Sequence, residues 1–310
     1  MTATGTYRRI ARAAACIAAA GLVAAMGACG SHELSGTSEA ASSNASGTVN
    51  VVASINQWGS VAGEIGGSRV KVTSIINSTA VEAHDYEPTS ADIAAMTKAD
   101  VIIVNGAGYD SWATKAASST KAQVVNAAES GGKHDGDNPH VWFSAAVRTA
   151  AAKAIAAAYR HSDAAHAEEY NKQLKAWQDK EKTLESAIAE AKQRLDGKKY
   201  AATESVAAYL ADDLGLTDAT PAGYAQAVAN ESEPASGDVT AFSKLLQAGS
   251  VALLVVNTQE SNATTKQLTT AAGQGGVRVV ELTEQMPKQY STLTDWMTAL
   301  VASFATAGKA

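Results

Sequence analysis

From residue 48 onward the chain alternates short, unbroken apolar runs with stretches whose apolar residues recur every three or four positions. The run at 49–55 is followed by a helical pattern at 56–65, and the β-branched run at 70–76 (VKVTSII) by a short helix at 91–96. Thr89 or Ser90, directly after Pro88, supplies that helix with an N-cap. VIIV at 101–104 stops at Asn105-Gly106, a polar helix follows around 109–119, a strand comes at 123–125, and an Ala-rich helix opens at Ser144 and runs to about residue 159. The grammar then repeats: a strand at 200–203, helices at 205–215 and 236–247, VALLVV at 251–256, a helix to residue 272, a strand at 277–282 and a last helix from about Gln289. Unbroken Val/Ile runs between helices belong to parallel sheets covered on both faces. The expected fold is therefore α/β with two such lobes. No sequence repeat accompanies the repeated grammar.

Between the halves, residues 163–195 contain neither Gly nor Pro. Apolar residues fall at Tyr170, Leu174, Trp177, Leu184, Ile188, Ala191 and Leu195, a 4-3 spacing interrupted by Glu181. This pattern predicts one helix of about 33 residues, roughly 50 Å long, acting as a rigid strut. Its many charges, Lys172 to Lys192, form a solvated face. The domains expected are a lobe at 48–160, the linking helix at 161–196 and a second lobe at 197–310.

The first 47 residues follow a different pattern. Arg8, Arg9 and Arg12 precede an apolar stretch at 13–26, too short for a stable membrane span, which places a signal peptide at 1–28. Met26-Gly27-Ala28-Cys29 resembles a bacterial lipobox, so Cys29 is the expected lipidation site. Residues 29–47 are Ser/Gly/Ala-rich, as a tether would be. The protein is expected to be exported and lipid-anchored to the outer face of the cell membrane.

Composition narrows the chemistry. Lys plus Arg number 25 against 31 Asp plus Glu, a formal net charge of −6, which argues against nucleic acid as a partner and suits a cationic ligand. The two cysteines, Cys16 and Cys29, both lie in the leader region, so the folded part offers no disulfide and no thiolate. Neither HExxH, GxGxxG, GxxxxGK[ST] nor GxSxG occurs, and the acids around His134-Asp135-Gly136-Asp137 lack the remainder of a calcium loop. Of six histidines, His32 lies in the tether, and His161 and His166 are five apart near the start of the strut, as surface residues would be. His84 and His140 sit in loops that follow strands, the usual ligand position in open α/β sheets. Glu204 and Glu284 follow the strands at 200–203 and 277–282 directly. Each is equally readable as a cap or a solvated charge, but imidazoles with carboxylates also form a nitrogen/oxygen site for Zn, Mn or Fe. Asn257 and Gln259, after VALLVV, could orient such ligands or serve structure alone.

These stretches carry a resemblance. His84-Asp85-Tyr86-Glu87-Pro88 with the following TSADIAAMTKADVIIVNGAGYDSW is similar to the first-ligand segment of the solute-binding proteins of zinc and manganese ABC importers, the cluster 9 or A-I family. Asn138-Pro139-His140-Val141-Trp142 is similar to its second ligand segment, ATESVAAYLADDLGL (202–216) to its third and Val279 to Glu284 to its fourth, where the family usually has Asp. In that last segment Glu281 competes with Glu284 for the ligand position. The resemblance implies two α/β lobes joined by a rigid helix, with one zinc or manganese ion held in the interlobe cleft by His84, His140, Glu204 and Glu284. It also implies a monomeric, non-enzymatic receptor that delivers the metal to a membrane permease and its ATPase. Zinc-type members usually carry His where this chain has Glu204, and many carry a His-rich loop where this chain has only His134. Glu at the third position is the manganese-type residue, although Zn²⁺ outcompetes Mn²⁺ on intrinsic affinity. Two other functions would use the same four residues: a metal-dependent hydrolase, which needs an open coordination position and a base, and a transporter-independent adhesin or storage lipoprotein.

Overall fold

A computed structural model describes residues 47–81, 83 and 86–308. In the first half the order is β1 (Val49–Ile55), α1 (Asn56–Gly66), β2 (Val70–Ile76), α2 (Ser90–Thr97), β3 (Val101–Val104), α3 (Ser111–Ala117), β4 (Gln123–Asn126), α4 (Ala127–Ser130) and α5 (Ala145–Ser162). The long helix α6 (Ala167–Leu195) follows. The second half runs β5 (Lys199–Ala202), α7 (Ala208–Asp213), β6 (Thr217–Asp218), α8 (Ala222–Ala229), α9 (Ser236–Gln247), β7 (Leu253–Asn257), α10 (Ala263–Gln274), β8 (Arg278–Leu282) and α11 (Leu293–Ala307). Among the described residues no helix is long and apolar enough to cross a membrane.

Both sheets are wholly parallel and share one connectivity. Their strand orders are β2-β1-β3-β4 and β6-β5-β7-β8, so the repeated grammar corresponds to a repeated topology. The buried strands are the apolar runs, VIIV being buried at all four positions and LLVVN at all five. In each order the chain reverses direction across the sheet between the first-formed strand and the third, β1/β3 in one half and β5/β7 in the other. Such switch points open a crevice beyond the strand ends.

Helix ends follow side-chain chemistry. Thr89 and Asp92 form a capping box on α2, Asn262 and Thr265 one on α10, while Ser144 caps α5 and Thr292 caps α11. The strut is shorter than expected. Asp163 ends α5, residues 164–166 make a 3₁₀ turn in which His166 Nδ1 meets Asp163, and α6 covers 29 residues from Ala167. His161 therefore lies in the last turn of α5 and not on the strut. The last helix likewise begins at Leu293, because Thr292 supplies its cap. Strand β6 and helix α8 have no counterpart in the sequence pattern.

Glu181 corrects the reading of the stripe. It interrupts the apolar spacing but not the buried face: it is buried beside Trp177 and Leu184 and paired with the equally buried Arg148 of α5 at 2.6 Å. Lys172, Lys175, Asp179, Lys180, Lys182, Glu185, Glu190 and Lys192 of the strut are exposed, as expected. One core runs continuously through both halves, joining Trp58 of α1, Trp142, Trp177 of α6 and Trp296 of α11, with Phe143 and Trp296 stacked edge to face at 5.6 Å. The helix α6 packs on α1, α5 and α11.

Candidate metal centre

The strand ends of the second sheet, the start of α1 and the loop between α4 and α5 bring the polar residues together. Glu204 stands two residues beyond β5, Asn257 is the last residue of β7 and Glu284 stands two beyond β8. Opposite them, Gln57 just past β1 donates from Nε2 to the Glu284 carbonyl at 2.7 Å, and Asn56 exchanges hydrogen bonds with the Met286 backbone. One ligand atom from each of His140, Glu204 and Glu284 lies within 4.8 Å of the others. His140 Nε2 is 3.8 Å from Glu284 Oε2. His140 and Glu284 are buried, at 3% and 0% exposure, and Glu204 is half-buried.

The His140 loop fixes its own tautomer. Asn138 donates from Nδ2 to the Ser205 carbonyl at 2.8 Å and to its Oγ at 3.1 Å, which leaves Asn138 Oδ1 as an acceptor. That oxygen lies 2.8 Å from His140 Nδ1 and also accepts from the His140 N–H. Nδ1 therefore carries the hydrogen, and the lone pair sits on Nε2, the nitrogen that faces Glu284. Tyr209 donates to the Asn138 carbonyl and Asn105 to the Pro139 carbonyl, so the loop is tied to both halves. His140 also stacks against Tyr109 and Trp142.

A hydrogen-bonded relay orients the carboxylates. Gln259 donates to Gln285 Oε1, Gln285 Nε2 donates to the Tyr109 hydroxyl at 2.8 Å, and Tyr109 donates to Glu284 Oε2 at 2.7 Å. Because Gln285 donates to the phenol oxygen, the phenol hydrogen is directed onto the carboxylate. Asn257 Nδ2 donates to both acids, at 2.7 Å to Glu204 Oε2 and 3.0 Å to Glu284 Oε1. These donors are neutral. They hold two carboxylates side by side without cancelling their charge, which suits the site to a cation.

Tyr109 is placed by the loop after β3. Asp110, fully buried, accepts from the Asn105 and Gly106 backbone N–H groups, and burial pushes its carboxyl above the ordinary range against those bonds. Gly106 has φ +79°, and a Cβ there would strike the Asn126 side chain that caps α4. Only glycine serves this turn.

Of the sequence candidates, His140, Glu204 and Glu284 meet. His84 lies outside the described residues, as do Cys29, Cys16 and His32. The flanks of the His84 segment are described: the Val81 carbonyl accepts from Gln259, and Tyr86 bonds Asp92 and stacks on Trp112 at 5.2 Å. Glu281 is exposed on β8 and outside the cluster, whereas Glu284 is buried in it. His134 is exposed and outside the cluster. Asn257 and Gln259 contact the acids and the relay. Tyr109, Gln57 and Gln285 were not singled out by the sequence. Tyr109 was expected to open a helix, but α3 starts only at Ser111 and leaves it in the turn before; its partner Glu284 is 175 positions away, so the local pattern carried no signal for its role.

Comparison with known proteins places this geometry. Residues 51–307 match the family described as zinc-uptake complex component A, periplasmic. The chain is 32% identical to the iron-binding protein YfeA of Yersinia pestis over 169 residues, 51% of this chain and 54% of that protein. It is 34% identical to the manganese-binding lipoprotein MntA of Halalkalibacterium halodurans over 98 residues, 30% of this chain and 32% of that one. The chain thus spans about half, or less, of the length of these curated relatives. Its fold is similar to that of the periplasmic zinc-binding protein TroA from Treponema pallidum, with a TM-score of 0.70 and 18% identity over 84% of this chain and 99% of that one.

Proposed function

The chain belongs to the family of the periplasmic zinc-uptake complex component A, and from that premise we propose that it is the extracytoplasmic solute-binding component of an ABC importer for a divalent transition metal. The metal is cargo, zinc or manganese, taken up outside the membrane and passed to a permease served by an ATPase. The observation that carries this reading is the meeting of His140, from the loop between α4 and α5, with Glu204 and Glu284, just beyond β5 and β8, one ligand atom from each lying within 4.8 Å of the others.

In this reading His84 is the fourth ligand, and the lobes at 48–160 and 197–310 each supply two of the four, braced by the segment at 161–196. Binding then clamps the halves together, and release requires them to part or the ligands to be protonated. Four protein ligands leave little room for a reacting water, which favours a carrier over a hydrolase. The relatives are named for iron and manganese and the family for zinc, which supports a divalent transition metal as the class of cargo. Cys29 anchors the monomer by lipid to the outer face of the cell membrane, a reading supported by the lipobox pattern and by a relative named as a lipoprotein.

Metal analysis of the protein purified without added metal, followed by Zn/Mn competition, tests the proposal. One equivalent of zinc or manganese, lost in the Glu284→Ala variant, is expected. A wild-type protein that takes up neither metal at micromolar concentration would overturn it.

A further inference from the structure

We infer that Asn257 is a selectivity-determining residue, which holds Glu204 and Glu284 in one-oxygen coordination and so disfavours manganese relative to zinc. The inference rests on the ligand roles proposed above.

Asn257 closes β7 and is 2% exposed. Its amide cannot turn over. The side-chain Oδ1 accepts from the Gln259 backbone N–H at 3.0 Å, so the NH₂ group must face the acids. Its own backbone N–H is held by Thr203 Oγ1 at 3.2 Å. The two hydrogens of that one nitrogen are thus divided, one to Glu204 Oε2 and one to Glu284 Oε1. A single rigid group ties the two carboxylates through one oxygen each.

This matters because a carboxylate reaches a coordination number above four by turning both oxygens to the cation. That rotation would break a charge-assisted hydrogen bond to a fixed, buried donor, and such bonds are about twice as strong as neutral ones. On Glu284 the second oxygen, Oε2, accepts from Tyr109 and is the one that faces His140 Nε2, at 3.8 Å, with a lone pair left for a cation. Each acid then offers one oxygen, and two imidazoles with two such oxygens make the four-coordinate set that Zn²⁺ prefers. Mn²⁺, which suits a larger oxygen-rich shell, is the loser. Glu204 makes the donor set harder than three imidazoles would, and Asn257 limits how many oxygens that hardness can bring.

The test compares wild type with Asn257→Ala, and with Asn257→Leu, which fills the same space without a donor. Zn²⁺ and Mn²⁺ are titrated separately into each metal-free protein. Co²⁺ is added as a spectroscopic probe, since its visible bands are intense in four-coordinate sites and weak in six-coordinate ones. Apo melting confirms which variants fold. Outer-shell changes typically cost 10- to 100-fold in affinity, so Zn²⁺ binding is expected to fall by about that factor, with Mn²⁺ binding falling less. The Zn-over-Mn ratio should therefore drop by about tenfold or more, and the Co²⁺ bands should weaken. An unchanged ratio, or unchanged Co²⁺ intensity, in a folded variant overturns the role of Asn257 while leaving the receptor reading intact. Failure of wild type to bind any of the three ions would overturn that reading instead.

Discussion

Glu181→Ala isolates the cost of stranding a charge inside the fold. Glu181 Oε1 accepts from Arg148 Nε at 2.9 Å and from Nη2 at 2.6 Å, and Arg148 Nη1 donates to the Trp142 carbonyl at 3.0 Å. Both side chains are almost wholly out of solvent, at 0% exposure for Arg148 and 2% for Glu181. Removing the acid leaves the guanidinium buried with one neutral acceptor, and breaking such a pair costs about 3–5 kcal/mol. For a chain of this size each kcal/mol moves the melting temperature by about 2–4 °C, so a drop of roughly 10 °C is expected. The Arg69–Glu169 pair provides the control. It is nearly as short, 2.8 Å, but its side chains are 40% and 50% exposed, so solvent screens the pair and Glu169→Ala should shift the melting temperature far less. The double variant Arg148→Met/Glu181→Leu should recover part of the loss, because apolar residues of similar volume often replace a buried pair without penalty. Recovery stays incomplete: the Trp142 carbonyl loses its partner, at about 1–3 kcal/mol. Asp213 is also affected. Burial pushes its carboxyl up and Arg148 pulls it back, so losing the guanidinium raises it further. Thermal and urea denaturation of metal-free protein at one pH measure the three variants beside wild type. The reasoning is refuted if Glu181→Ala melts no lower than Glu169→Ala.

Saturating metal should stabilise the fold by about 4 kcal/mol when free metal is 1,000 times its dissociation constant. His84→Ala, His140→Ala, Glu204→Ala and Glu284→Ala should each remove most of that gain in melting experiments, while Glu281→Ala should keep it. A full metal-induced shift in a ligand variant would strike that residue from the set. Cys29→Ser should move the protein out of the membrane fraction or leave it unprocessed, and a variant that stays membrane-bound at the same mature mass would dismiss the lipid anchor. Glu204→His replaces a hard ligand with a softer one and should widen the Zn-over-Mn affinity ratio; titration showing an equal or narrower ratio would mean that Glu204 does not touch the metal.

The fold was readable where one physical demand dominated a stretch of sequence. A buried parallel strand needs apolar side chains on both faces, and VIIV at 101–104 meets that demand within four residues. Caps were readable for the same reason, since Thr89 and Ser144 act on N–H groups three residues away. Strand β6 was not readable. Its two residues, Thr217 and Asp218, are exposed and are defined only by pairing with Lys199 and Tyr200. Helix α8 buries only Tyr224 as a full side chain, too little to impose a period. Glu181 shows the opposite failure. A charge within an apolar stripe reads as a break until its partner, 33 positions earlier on another helix, is known.

The candidate site divides along the same line, between what a residue type can do and what holds it. Their place after strands made His84, His140, Glu204 and Glu284 candidates, the family resemblance chose them as a set, and the structure brings the three described ones together. Asn257 and Gln259 were visible because they follow an apolar strand, yet nothing local could say that one amide nitrogen reaches acids 53 and 27 positions away. The parts that fix proton and charge positions have no such mark. Tyr109 is an ordinary tyrosine in a glycine-rich loop until Gln285 donates to it and it donates to Glu284. Asn138 is a turn residue until Ser205, 67 positions on, takes its NH₂ group and thereby decides which nitrogen of His140 keeps the lone pair. Ligand identity is thus a property of residue and neighbourhood in sequence. The tautomer and the direction of the phenol hydrogen are properties of contacts between the two halves, the number of oxygens each acid can offer depends on contacts of Asn257 within the second, and all exist only once the chain has folded.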